Sequence, residues 1–376
     1  FQAEDGIRDR SPSRGLGDVY KRQVLSCFDG LSGGQLALKK AGIKVNTYYA
    51  SEIDKYAIAV ARYNFPDTCH LGDVREIDTS RLPQIDLMLA GSPCTDLSFA
   101  GKQKGLVEGE QSSLFFDWWN LVQELKPKYI FLENVRMRRE YKDKISKTLG
   151  FEPVAINSSL VSAQSRYRLY WFGVRVGNKY IDMPINQPKD KGIVLRHILE
   201  TQSDNSTETH ATPKQIGTAV DIRGYDIIKR VYHPDGKSPT LTTMTGGHRE
   251  PKIVCGAYRG RYYKDGVRQD QFGSVAGKTK QMLELRKDGK TNTITTVQKD
   301  NVLAKDEVYW RKLTVLECER LQTVPDGYTE FGVFDVNQDL TKDEVPQKEI
   351  SNSQRYKMLG NGWTIDVIAH IMEGLR

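Results

Sequence analysis

The chain has 376 residues, 38% of them hydrophobic and 27% charged, and its 55 Lys+Arg against 48 Asp+Glu leave a net charge of +7. That length allows two domains, and the mild basic excess permits a polyanionic partner without requiring one. No apolar run approaches the roughly 18 residues of a membrane-spanning helix, so no membrane partner is expected. The five cysteines, Cys27, Cys69, Cys94, Cys255 and Cys318, are odd in number, scattered and without a CxxC pair. Neither a disulfide framework nor a zinc site is expected, no metal is called for, and a reducing cytoplasm fits.

Residues 1–23, "FQAEDGIRDRSPSRGLGDVYKRQ", have no initiator Met, apolar core or amphipathic period. They resemble translated sequencing-adapter read-through and are expected to be a non-native leader; a basic arm touching nucleic acid is the alternative. From Val24 the rhythm is strand, loop, helix. "VLSC" (24–27) predicts a strand, "FDGLSGG" a turn, and "QLALKKAG" a helix closed by Gly42. "NTYYAS" (46–51) predicts the second strand and 54–65 a helix stopped by Pro66. "IDLMLAG" (85–91) is a nearly continuous apolar run, the mark of a strand covered on both faces. Residues 112–126 are amphipathic and helical, "KYIFLEN" (128–134) is another buried strand, and "YKDKISKTLG" a helix. "PVAINSSL" and "LYWFGV" (169–174) complete an α/β, doubly wound, mostly parallel Rossmann-like sheet over 24–175.

From about Val176 to 309 the alternation stops. Short strand-like pieces rich in Gly, Thr and Lys predict a smaller, mostly β or irregular domain, with an internal echo between "DGKSPTLTTMTGG" (235–247) and "DGKTNTITTVQKD" (288–300). A helix at "TVLECERLQ" (314–322) and a last helix beginning near Asn361 put 310–376 back in the first style.

Ligands of doubly wound sheets bind beyond the carboxyl ends of the strands. The glycines of "FDGLSGG" allow close backbone approach there, but the turn lacks GxGxxG spacing, which disfavours a dinucleotide. Glu52 after the second strand suits ribose hydroxyls, and Asp73 after the third suits an adenine amino group. Either acid alone would pass for a loop residue or helix cap; features after three successive strands favour a nucleoside. Cys94 follows the fourth strand in "GSPC" and Glu133 ends the fifth. Gln164, Arg166 and Arg168 lead into a further strand on which alternate side chains share a face. A nucleophile, a carboxyl group and a guanidinium at neighbouring strand ends suggest covalent catalysis.

The ordered set "FDGLSGG", "ASEID", "GDV", "GSPC", "ENV", "QSRYR", "RKLTVLECERLQ" and "LGNGWTIDVI" resembles the C5-cytosine DNA methyltransferases, in their phage or bacterial form, over 24–175 and 310–376. The resemblance implies methyl transfer from S-adenosyl-L-methionine to C5 of a flipped cytosine in double-stranded DNA. It implies Cys94 as the nucleophile on C6, Glu133 as donor at N3 and Arg166 steadying the same base edge, with Arg168 also in the catalytic set. Phe28, Asp29, Gly30, Leu31 and Gly33 would take the methionine and ribose side, Glu52 the ribose hydroxyls, Ile53 the adenine face and Asp73 its amino group. Pro93, Leu114, Asn361 and Trp363 would complete the wall. Ser32, where many bacterial members have Gly, and "GNGWTIDVI", where a Ser-Val pair commonly follows the Asn, depart from the usual pattern.

The loop "TDLSFAGKQKG" is expected to close over the base, with Ser98, Lys102 and Gln103 at the DNA. The family places target recognition in the middle segment, where "AYRGRYYKDGVR" (257–268) interleaves Arg259, Arg261 and Lys264 with tyrosines, a pattern suited to phosphate contact. A solvated charged loop is the competing reading. An inert DNA-binding relative and an RNA methyltransferase of the same fold stand as alternatives. A monomer is expected; the target sequence and any companion restriction endonuclease are not legible in the chain.

Overall fold

The computed structural model describes residues 21–92, 114–200, 212–219, 222, 224–243, 250–254, 257–261, 263–264, 267–268, 280–284, 310–334 and 346–376. Strands β1 (Arg22–Cys27), β2 (Val45–Ser51), β3 (Cys69–Gly72), β4 (Leu87–Gly91), β5 (Tyr129–Val135), β6 (Val154–Asn157), β7 (Tyr167–Val176) and β8 (Lys179–Asp182) form one sheet. Their order is β3-β2-β1-β4-β5-β7-β6. β1 to β5 are parallel and β7 runs antiparallel to β5. β6 pairs with the first part of β7 and β8 with the last. Because β1 has β2 on one side and β4 on the other, the strand order reverses at β1/β4, the position where this architecture opens a crevice.

Among the described residues the helices of seven residues or more are α1 (Gly33–Lys40), α2 (Lys55–Asn64), α3 (Leu114–Leu125), α4 (Arg139–Leu149), α5 (Val315–Leu321), α6 (Asn352–Asn361) and α7 (Ile365–Met372). Local chemistry sets their ends. The Asp54 carboxylate accepts from the amides of Tyr56 and Ala57 and starts α2. A reciprocal pair, Glu317 N to Thr314 Oγ1 and Thr314 N to Glu317 Oε2, starts α5. α4 stops at Gly150, whose φ of +92° lies in the left-handed region.

Two expectations shift. β1 begins at Arg22, inside the stretch expected to be a leader: Arg22 Nη2 donates to Leu375 O (2.7 Å) and Gln23 N to Asp86 Oδ2 (2.7 Å). The C-terminus holds two helices, not one: α6 ends at Asn361 and α7 starts at Ile365. α6, sequence NSQRYKMLGN, has only three large apolar or aromatic residues, Tyr356, Met358 and Leu359, too few for a helical stripe to show.

Strands Gln215–Thr218, Arg230–Tyr232 and Lys252–Val254 of the middle segment form a small sheet with Trp310–Lys312 from the start of the C-terminal segment, and within the middle segment Ala257–Arg261 pairs with Lys280–Glu284. The middle segment's packing is continuous with the large sheet: Leu195, Tyr232, Leu241 and Ile253 belong to the same buried cluster as Val24, Leu89 and Phe131. Of the internal echo, residues 235–243 are described and 288–300 lie outside the described residues. Residues 235–243 form a strap pressed against the large sheet's flank. Lys237, 2% exposed, donates to the carbonyls of Ser159, Ser162 and Ile193, and Ser238 N donates to Ala163 O.

Candidate active site

A cavity of about 1360 Å³ opens at the carboxyl ends of β1, β2, β4 and β5. Eleven of the twelve residues expected at the cofactor line it; the twelfth, Pro93, lies outside the described residues. The turn after β1 is built on positive φ angles at Phe28 (60°), Gly30 (58°) and Ser32 (64°). This conformation costs a non-glycine residue about 1–2 kcal/mol. Ser32 is held in it by donating to Asp29 Oδ2 (2.7 Å) and accepting from Gln35 Nε2 (3.0 Å). The Asp29 carboxylate, 8% exposed, also accepts from Tyr48 Oη (2.7 Å). Its side chain thus faces inward, and burial, opposed by the bonds from Ser32 and Tyr48, raises its pKa to about 6.

The Glu52 carboxylate accepts from the amides of Gly30, Ile53 and Asp54, each at 2.8 Å. These bonds fix it at the cavity wall and use three of a carboxylate's roughly four lone-pair sites, leaving about one, on Oε2, for a ligand hydroxyl. Ile53 is 73% exposed, an apolar surface presented to the opening. Asp73 lines the cavity and also caps the short helical turn Val74–Glu76, the alternative that the sequence left open. Its oxygens accept from Arg75 N and Nε and pair with Arg75 Nη2, and these bonds lower its pKa. Asp117 of α3 stands on the same side, its pKa raised mainly by burial. The cavity's volume, its glycine turn and its carboxylates on successive strand ends fit a nucleoside carrying a cationic amino-acid tail.

At the other end Glu133, 8% exposed, lies two residues before the end of β5, which runs on to Val135 and does not stop at the glutamate as expected. The register sets it beside Gly91 of β4 and Tyr170 of β7. Arg168 Nε lies 3.0 Å from Glu133 Oε1, and Trp363 Nε1 donates to Oε2 at 3.2 Å. Asn134, 1% exposed, donates from Nδ2 to Ser92 Oγ (2.8 Å), tying the end of β5 to the turn that leaves β4.

Arg166 does something else. Only 3% exposed, it donates from Nη1 to the carbonyls of Leu241 and Gly360 (both 3.3 Å) and from Nη2 to Gly362 O (2.9 Å). The guanidinium expected at the base edge therefore clamps the strap, the end of α6 and the turn into α7. Arg168 is the one beside Glu133. Both arginines line the cavity, as side chains two apart on one face would, although β7 begins at Tyr167 and Arg166 precedes the strand, its own amide donating to Asn157 Oδ1 (2.8 Å). Gln164 is fully buried in a bridge to Ser238. Sequence reasoning placed Trp363 at the cofactor but gave no sign of its bond to a carboxylate 230 positions away.

Cys94, Ser98, Lys102 and Gln103 lie outside the described residues. Arg259, Arg261 and Lys264 fall on short strands, Ala257–Arg261 and Tyr263–Lys264. Among the described residues no group of three or more His, Cys, Asp or Glu could hold a metal, and no helix is long and apolar enough to cross a membrane.

Residues 22–376 match the family model described as C-5 cytosine-specific DNA methylase. The orphan methyltransferase M.SPBetaI of Bacillus phage SPbeta is 29% identical, covering 95% of this chain and 98% of the relative. The type II methyltransferase M.HhaI of Haemophilus parahaemolyticus is 25% identical, covering 93% and 92%. Among solved structures, the Entamoeba histolytica methyltransferase EhMeth superposes with a TM-score of 0.59 at 15% identity, covering 95% of this chain and 98% of that one. Dnmt2 of S. pombe gives 0.56 at 14% identity, covering 95% and 100%. These two likenesses show the fold, the Rossmann-like methyltransferase sheet. With the family match spanning nearly the whole chain, the protein belongs to the C-5 cytosine-specific DNA methylases and is a DNA (cytosine-5)-methyltransferase.

Proposed function

We propose that the protein methylates C5 of a cytosine flipped out of double-stranded DNA, with S-adenosylmethionine as donor and Cys94 as covalent nucleophile. The observation that supports this most is the convergence on one cavity of the β1 turn, Glu52, and a Glu133 carboxylate held by Arg168. Cys94 follows Gly91 by three residues, at most about 11 Å of chain, and Gly91 is the register partner of Glu133. The thiol is therefore tethered to the strand end beside that carboxylate.

The chemistry explains why these groups are needed together. C5 of cytosine is a weak nucleophile, and the base must leave its stack to be reached, at a cost of a few kcal/mol. Addition of the Cys94 thiolate to C6, with a proton passing from Glu133 to N3, converts the ring into an enamine with electron density at C5. The bound donor supplies an electrophilic sulfonium methyl. C5 takes that methyl, leaving the donor as a neutral thioether. A solvent base then removes the C5 proton as the C6–S bond breaks, N3 returns its proton to Glu133, and the ring is aromatic again with Cys94 released as the thiolate. Both arginines line the cavity, and Arg168 takes the base-edge role because its guanidinium is beside Glu133, whereas that of Arg166 is bonded to the carbonyls of Leu241, Gly360 and Gly362. Arg259, Arg261 and Lys264 contact phosphates, and the middle segment reads the target.

The test is incubation of the protein with labelled S-adenosylmethionine and mixed-sequence DNA, with products mapped at single-base resolution. 5-Methylcytosine at a defined sequence is expected, together with its loss in Cys94→Ser. No 5-methylcytosine from the intact chain, or undiminished product from Cys94→Ser, overturns the proposal.

A further inference from the structure

We propose that Trp363 is a positioning residue for Glu133, holding the carboxylate in place through its indole N–H, beyond any part it has in the wall of the cofactor end. The inference deepens the reading above and rests on it for the role of Glu133.

Two donors grip Glu133 from opposite oxygens, Arg168 on Oε1 and the Trp363 indole on Oε2. They differ in kind. The guanidinium carries a full charge, whereas the indole is a neutral, donor-only group that cannot itself accept a proton from the carboxyl. A second cation at Oε2 would oppose protonation of Glu133, which the proposed transfer to N3 requires. A neutral donor fixes the same oxygen with less bias towards the charged form.

The indole is built into its place. Its ring meets Phe131 edge to face, centroids 5.5 Å apart at 78°. It lies so close over the end of β4 that a Cβ at Gly91 would come within 2.7 Å of Nε1 and 3.2 Å of Cε2. On the other side a Cβ on Gly33, the first residue of α1, would lie 3.8 Å from Cε3 and 3.9 Å from the Trp363 Cβ. One rigid side chain thus spans from the β1/α1 turn to the β5 carboxylate. Position 363 is in turn fastened through Gly362, whose carbonyl accepts from Arg166 and from Gln322 Nε2. Glu133 is therefore placed by the fold's C-terminal turn as well as by its own sheet.

The test has two arms. Trp363→Phe keeps the ring against Phe131 and removes only the N–H. A hydrogen bond to a charged group contributes enough that its loss should lower kcat about tenfold, with KM for S-adenosylmethionine held within about threefold. The second arm needs no turnover: in protein with 15N-labelled tryptophan, Trp363→Phe identifies one of the five indole signals. That signal should move upfield and exchange faster with water in Glu133→Leu, and stay in place in Glu133→Gln, which keeps an acceptor. An indole signal indifferent to Glu133→Leu, or a Trp363→Phe whose loss lies in KM alone, overturns the proposal. Absence of methylation by the intact protein would instead sink the functional reading, while the indole arm would still report on the contact.

Discussion

The Arg166→Met variant removes a guanidinium that is 3% exposed and bonded to three main-chain carbonyls, at 3.3, 3.3 and 2.9 Å. Met keeps most of the aliphatic volume, so the main effect is that Leu241, Gly360 and Gly362 lose a donor in the interior. An orphaned buried acceptor costs about 1–3 kcal/mol. Gly362 O keeps a long bond from Gln322 (3.4 Å), and the two 3.3 Å bonds are weaker than ideal. The sum is therefore placed at about 4 kcal/mol, nearly a thousandfold in the unfolding equilibrium. Arg168→Met is the contrasting case. It breaks one ion pair, with side chains 13% and 11% exposed, and leaves Glu133 its bond to Trp363. Stability should fall by only about 1–2 kcal/mol, while kcat falls about 10²–10³-fold, the usual effect of losing a preorganised donor at a reacting centre. Urea denaturation followed by tryptophan fluorescence and single-turnover methylation at a temperature where both variants are folded provide the two axes. An Arg166→Met protein as stable as the parent yet inactive would refute the reasoning, because the guanidinium would then be serving the base and not the carbonyls.

Asp29 has its carboxyl pushed up to about 6, chiefly by burial. The folded chain therefore keeps a proton that the unfolded chain gives up near 3.8, and the associated stability, present below about pH 4, is lost as pH rises through 6. His70, lowered to about 4 by burial and by the charge of Arg62, slopes the opposite way over the same window, so the measurement is the difference in denaturation midpoint between Asp29→Asn and parent from pH 4 to 6.5. That difference should shift in favour of the variant as pH rises; a constant difference would show that Asp29 does not titrate there. For the basic strands, the combined Arg259→Ala, Arg261→Ala and Lys264→Ala variant should weaken DNA binding and lower the slope of log K against log salt by about 0.9 for each phosphate no longer neutralised. An unchanged slope would mean that these cations stay in solvent.

The sheet is legible in the sequence because its strands are continuous apolar runs separated by helices of ordinary length, and buried parallel strands permit little else. The end of the cavity proposed for the cofactor is legible only in part: Phe28 to Gly33, Glu52 and Asp73 sit immediately after β1, β2 and β3, whereas Leu114, Asn361 and Trp363 come to the wall from distant segments. What sequence does not carry is contact between remote segments. Arg166 and Arg168 are two apart in a stretch that looks like strand and both line the cavity, so only their observed partners show that Arg168 is the one beside Glu133. Trp363 meets Glu133 across 230 positions, and no local pattern encodes that contact. The strap at 235–243 has a polar composition, which points to a separate unit. Its polar groups are instead spent on the main chain of the large sheet's flank, as Lys237 and Ser238 show.

The cavity also has an uneven distribution of charge that bears on which ligand state it prefers. Its cofactor end is lined by Asp29, Glu52, Asp54, Asp73 and Asp117, against which stand Arg75, Lys144 and Lys357. Two of these cations are paired with acids of the wall, Arg75 with Asp73 and Lys357 with Asp54, and Lys144 lies over the Phe116 ring, 5.2 Å from its centroid. Among the described residues Glu52 is held by main-chain amides and no cation, and Asp117 is raised by its burial. The excess of carboxylates favours a cationic ligand, and the sulfonium of S-adenosylmethionine carries the charge that methyl transfer removes. The thioether product should therefore be held less firmly by the same wall, and the difference should reside in the acids that those two cations leave unneutralised. Glu52→Gln is thus expected to weaken binding of the sulfonium more than of the thioether, narrowing the ratio of their Kd values measured by calorimetry at low salt. Equal weakening of both ligands would assign Glu52 to the ribose alone and leave the charge asymmetry without a role in release.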